Sequence, residues 1–186
     1  VELLDVLYSR RSVRDYAAKR VGKKTILTLL DAAVQAPSAM NSQPWAFAVI
    51  QDKAELKKIS DIAKKALLAG MKKSAPMNKY REMLEDPDFN IFYNASTLVL
   101  ILAKPEGPCP AEDCRQAAQN FMLAAREMGL GTCFIGFATH YLNTAEAKAK
   151  YGIPAEYKVA APLIIGTPKE PFGKKPKNPP EILFWK

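Results

Sequence analysis

The chain has 186 residues, 48% of them hydrophobic and 25% charged, which suits one globular domain able to bury about two-thirds of its unfolded surface. No apolar run approaches the roughly 20 residues of a membrane helix, and the first residues are charged and amphipathic rather than a signal peptide, so a cytoplasmic protein with no membrane association is expected. Lysine and arginine number 27 against 19 acidic residues, a net charge of +8; this suits phosphorylated small molecules, and without interleaved aromatics the scattered lysines argue against nucleic acid.

In chain order, Leu3, Leu4, Val6 and Leu7 have the spacing of a short first helix, and a second is predicted from about Lys24 to Gln35, stopped by Pro37. The loop Ala36 to Pro44 is dense in turn formers and leads into an apolar strand, Trp45 to Ile50. Asp52 with Glu55 reads as a capping box opening a helix to about Leu68. Met71 to Asn90 mixes two prolines, four cations and three methionines, the composition of a lid over a substrate.

Thr97 to Ala103 (TLVLILA) is continuous and short, as in a strand buried on both faces. Ala111 to Met128 follows as an alanine-rich helix with Gly129 placed for a left-handed C-cap. Thr132 to Phe137 is a further strand, Asn143 with Glu146 caps a helix to Lys150, and Tyr157 to Ile165 is the last strand. The proline- and lysine-rich segment from about 167 to 186 ends in Ile182-Leu183-Phe184-Trp185 and reads as an extended arm whose tip needs a docking place. A single domain over 1–186, with helices layered around one sheet, is expected.

Chemistry concentrates in three places. Arg10, Arg11, Ser12 and Arg14 form a dense anion-binding set at the end of the first helix, where cations also complement the helix dipole. The Pro37 to Pro44 loop offers Ser38, Asn41, Ser42 and Gln43 on a restricted backbone, able to grip a polar chain or to serve as an ordinary connection. Gly129 to Gly136 (GLGTCFIG) precedes rather than follows its strand, against a dinucleotide fingerprint. It can still bring main-chain NH groups to a planar ligand at Gly136. Cys109, Cys114 and Cys133 give neither a disulfide framework nor a zinc site, and His140 alone builds neither a metal centre nor a triad.

Taken in order, RRSVRDY, APSAMNSQPWAFAVI and GLGTCFIGF after QAAQNFMLAAREMGLG resemble the nitroreductase family of FMN flavoproteins over nearly the whole chain. The resemblance implies an α+β fold, a central mixed β-sheet flanked by helices, in an intertwined homodimer with an extended C-terminal arm and FMN between the subunits. It implies that Arg10, Arg11, Ser12 and Arg14 hold the FMN phosphate, ribityl chain and N1/O2 side of the ring. Pro37, Ser38, Ala39 and Asn41 would approach from the partner chain. Phe134, Ile135 and Gly136 would line the isoalloxazine, with a main-chain NH near N5. The family's closing basic stretch is matched by Lys175 and Lys177, whereas Phe137 departs from the second small residue common after the glycine and narrows the space beside the ring.

The resemblance further implies hydride transfer from NADH or NADPH through the flavin to a small-molecule acceptor such as a nitroaromatic or quinone. The cofactor carries the reaction, and no catalytic side chain is required. Reductive dehalogenation, ene-reduction and FMN binding without turnover are the alternatives.

Overall fold

The computed structural model describes residues 2–71 and 76–186. The two most apolar segments form the predicted strands, Trp45–Ile50 (β1) and Thr97–Ala103 (β2), joined by Gly131–Phe134 (β3) and Lys158–Gly166 (β4) in the order β1-β2-β4-β3. All three pairings among these strands are antiparallel. Among the described residues, the parallel component of a mixed sheet is an isolated bridge between Ser12 and Thr132. Outer strand β1 pairs with β2 alone and leaves Val49 exposed.

The helices are Leu3–Ser9 (α1), Lys23–Ala33 (α2), Lys53–Gly70 (α3), Arg81–Glu85 (α4), Pro110–Glu127 (α5), Gly136–Leu142 (α6) and Ala145–Lys150 (α7). Side chains alternate across a strand, so β2 serves two cores. Leu98, Leu100 and Leu102 cluster with Leu56, Ile59 and Ala63 of α3 and with Leu142 of α6. Val99, Ile101 and Ala103 cluster with Leu29 of α2 and with Ala117, Ala118 and Phe121 of α5. The result is three layers, with small alanines on α5 letting α2 pack closely against it. Ile101 pairs with Ala161 and Leu102 with Val159, so Ala160 is the extra residue of a bulge and shares a side of the sheet with Ala161.

Half of the predicted capping box at α3 forms: the Asp52 carboxylate accepts from Glu55 N at 2.9 Å, while the Glu55 carboxylate, instead of returning to Asp52 N, accepts from the Tyr151 hydroxyl and pairs with Lys150. Gly129 follows α5 at φ +74°, as a left-handed C-cap requires. Two boundaries differ from the sequence reading. The third strand stops at Phe134, because Gly136 to Leu142 coils into α6, whose Ala138 and Leu142 are buried in the α3 core. The next helix is capped by Thr144, whose hydroxyl accepts from Ala147 N, whereas Asn143 caps the end of α6 and ties it to Val159.

Residues 72–75 of the predicted 71–90 excursion lie outside the described residues. The remainder forms a 3-10 turn at Pro76–Tyr80 followed by α4. Leu84 is buried, and the Tyr80 ring meets Phe137 edge-on at 5.8 Å. Beyond Pro168, which bridges to Tyr16, the arm is extended and Ile182 to Trp185 stand exposed. No helix among the described residues is long and apolar enough to cross a membrane.

Candidate functional site

The site grows from a stretch that is neither helix nor strand. After α1, residues 10–17 run along the sheet: Val13 N donates to Thr132 O at 2.9 Å and Ala17 N to Thr167 O at 2.9 Å, while the Tyr16 hydroxyl donates to Val13 O at 2.7 Å. Two glycines permit this close approach. A Cβ on Gly131 would lie 2.8–2.9 Å from the Val13 side chain, and one on Gly166 would lie 2.8 Å from the Tyr16 ring. With Val13 and Tyr16 turned inward and buried, Ser12 and Arg14 stay exposed.

The first cleft, of about 500 Å³, is lined by Leu7, Tyr8, Arg10, Arg11, Ser12 and Arg14 on one side and by Lys174, Lys175 and Lys177 on the other. Six cations therefore face one space, and among the described residues none is paired to a carboxylate. The arm is fixed as a wall of this cleft. The Arg11 guanidinium donates to Pro171 O at 3.3 Å, Lys169 pairs with Asp15 at 2.8 Å, and Phe172 lies 4.0 Å beneath Arg126. Arg126 in turn donates to the Ser9 hydroxyl at 2.9 Å. Such a set of guanidinium and ammonium donors is suited to a phosphate.

A second cleft, of about 410 Å³, is bordered by Arg14, Leu67, Met77 and Tyr93 and by the run Cys133 to Phe137. Arg14 is common to both clefts. A Cβ at Gly136 would meet nothing within 4 Å, so packing does not demand glycine there, and its absence of a side chain keeps the cleft floor open. Burial pushes the Cys133 thiol above its ordinary range, although Arg14 and a hydrogen bond with Ser12 pull it down; a thiol held protonated is no nucleophile. Tyr93 and Asn94 are both left-handed, at φ +51° and +56°. The Arg14 guanidinium stands 5.8 Å from the Tyr93 ring centroid.

Arg10, Arg11, Ser12, Arg14, Lys175 and Lys177 thus converge on one cleft, and Phe134, Ile135 and Gly136 border the neighbouring one. Pro37, Ser38, Ala39 and Asn41 border neither. Their loop precedes β1, on the opposite edge of the sheet from β3, three strand spacings or about 14 Å away. It is tightly made: Ala39 N donates to both carboxylate oxygens of buried Asp113 at 3.2 Å, and Gln43 N donates to the Ser38 hydroxyl at 3.0 Å. Met40, Asn41 and Gln43 are all left-handed, and Met40 is 93% exposed. Such strain persists only where surrounding contacts over-determine it and is characteristic of functional loops.

The sequence reading missed Leu7, Tyr8 and Lys174 at the first cleft and Leu67 and Tyr93 at the second, whereas Met77 falls in the segment expected to cover a substrate. Lys174 was within reach, being the neighbour of Lys175. Leu67 looks like one more apolar residue of a helix, and Tyr93 carries only the hint of flanking Asn90 and Asn94, residues that tolerate the left-handed region. The donor set fits an elongated ligand with a phosphate at one end and a planar apolar body at the other, which describes FMN.

A family model described as Nitroreductase family matches residues 7–167. A protein of Archaeoglobus fulgidus, provisionally named NADH dehydrogenase/NAD(P)H nitroreductase, is 30% identical over 174 residues, covering 91% of this chain and 87% of its own. An iodotyrosine deiodinase of Thermotoga neapolitana is 24% identical over 183 residues, covering 95% and 94%. A crystal structure of a nitroreductase with bound FMN from Bacteroides fragilis aligns over 100% of both chains with a TM-score of 0.83 and 25% identity.

Proposed function

The chain belongs to the nitroreductase family, and on that premise we propose that it is an FMN-dependent oxidoreductase taking electrons from NADH or NADPH and delivering them to a nitroaromatic or quinone acceptor. The observation that carries this reading is the junction at Arg14 of a six-cation cleft with an apolar one. When bound there, FMN supplies two-electron transfer between a nicotinamide and an acceptor; a nitro group takes two electrons and two protons to give the nitroso compound and water.

The chain's own residues bind and orient. Arg10, Arg11, Ser12, Lys175 and Lys177 hold the phosphate, and Arg14 sets a positive charge beside the ring, where negative charge develops on reduction. Phe134, Ile135 and Gly136 line the ring, while Leu67, Met77 and Phe137 keep water from the acceptor. Pro37, Ser38, Ala39 and Asn41 lie too far across the sheet to complete this chain's site. They fit the role of residues given to the site of a second copy, which makes the working unit a homodimer. A second reading, reductive dehalogenation, is favoured by the similarity to the T. neapolitana deiodinase.

Protein loaded with FMN should retain it through gel filtration, lose its yellow colour when NADH or NADPH is added without oxygen, and regain it with nitrobenzene or menadione. Recolouring by 3-iodotyrosine alone would favour dehalogenation. Failure to retain FMN, or a colour indifferent to both nicotinamides, would sink the proposal.

A further inference from the structure

The apolar cleft has an uneven chemistry that a general site for flat acceptors does not require. Of the described residues bordering it, Leu67, Met77, Phe134, Ile135, Gly136 and Phe137 offer no polar side chain. The Cys133 thiol is directed at the carbonyl of Phe134. Two side-chain donors remain, the Arg14 guanidinium and the Tyr93 hydroxyl, and among the described residues no carboxylate borders the cleft to balance the arginine. The Tyr93 hydroxyl has no hydrogen-bond partner among the described residues, although its ring is half-buried and in contact with Arg14.

The backbone that presents Tyr93 is held against its own preference. Left-handed geometry at a tyrosine costs about 1–2 kcal/mol, and here it is repeated at Asn94. Five contacts enforce it. Buried Lys64 donates to the carbonyls of Asp86 and Phe89 at 2.8 and 2.6 Å, and Ile91 N donates to the buried Ser60 hydroxyl at 3.0 Å. The Asn90 side chain accepts from Phe92 N at 2.9 Å, and the Phe89 ring meets that of Tyr93 edge-on at 5.7 Å. Strain so thoroughly secured beside a cleft points to a placed side chain.

We propose that Tyr93 is a specificity-determining residue: its ring orients Arg14, and its hydroxyl joins that guanidinium in receiving an oxyanion, so the enzyme prefers anionic aromatic acceptors to cationic ones of the same shape. The inference rests on the FMN reductase reading and deepens it, naming the acceptor class of the same site. An oxyanion between these donors gains a charge-assisted hydrogen bond from each, whereas an ammonium there faces like charge from the guanidinium, a repulsion that solvent moderates because Arg14 is exposed.

The FMN-loaded protein tests this with 4-nitrobenzoate and (4-nitrobenzyl)ammonium as paired acceptors, and with benzoate as a non-reacting probe whose binding perturbs the flavin spectrum. The kcat/KM ratio should favour 4-nitrobenzoate by roughly tenfold or more, the scale of a hydrogen bond to a charged group. Tyr93→Phe should narrow that ratio several-fold and raise the benzoate Kd roughly tenfold. Leu67→Lys, which adds a cation to the same wall, should widen it. Equal use of the two acceptors by the unmodified protein, or a ratio and benzoate Kd that ignore Tyr93→Phe, would overturn the inference while leaving the reductase reading intact. Tyr93-dependent benzoate binding without turnover of any nitroarene or quinone would uphold the oxyanion site and remove the reductase reading.

Discussion

Arg14 owes its position to residues that never face the clefts. Val13 and Tyr16 on either side are driven into contact with Gly131 and Gly166, where no Cβ could be accommodated without displacing them. The arginine between is left where both clefts meet. If it stabilises the reduced, more negative cofactor as proposed, Arg14→Gln should lower the two-electron midpoint potential of bound FMN by about 30 mV. That shift is equivalent to about 1.4 kcal/mol, at the lower end for a hydrogen bond to a charged group because Arg14 is exposed. Spectroelectrochemical titration of both proteins measures it, and an unchanged potential would remove the electrostatic role.

Among the elements, α3 is the clearest case of sequence writing structure. Asp52 accepts the third NH of its helix, and Leu56, Ile59 and Ala63 follow at helical spacing into the core. Asp52→Ala should therefore cost about 1 kcal/mol of stability, read as a lower urea midpoint with unchanged slope. The buried strands were legible in the same way: β1 and β2 fall where continuous apolar runs predicted them, because a run of six or seven residues is too short for a helix that hides all its sides. Short α6 was not legible. It opens at a glycine and contains Phe137 and Thr139, poor helix formers, so its helicity comes from burial of Ala138 and Leu142 against α3. The site divides likewise. Arginines clustered within five residues, and two lysines in a basic tail, announce themselves locally. Tyr93 and Leu67 gain meaning only when α3 and the turn before β2 are brought to the end of β3, a convergence with no local signature.

For the whole molecule, three features stand open in the single chain: the strained loop at Met40, the unpaired side of β1 that it leads into, and the exposed Ile182 to Trp185 tip. On the proposed homodimer reading these are the surfaces for a second copy. If a second copy covers the tip, deletion of residues 178–186, which spares Lys174, Lys175 and Lys177, should shift sedimentation from dimer toward monomer. It should also weaken FMN retention, since each site would lose the loop lent by the other subunit. A truncated protein that sediments and holds FMN like the full chain would contradict this. The wall formed by Lys174, Lys175 and Lys177 makes the proposed phosphate cradle a composite of two segments about 160 residues apart in the chain. On the proposed reading, cutting the protein between β4 and Lys174 would leave the sheet paired but hold the vitamin's phosphate from one side alone.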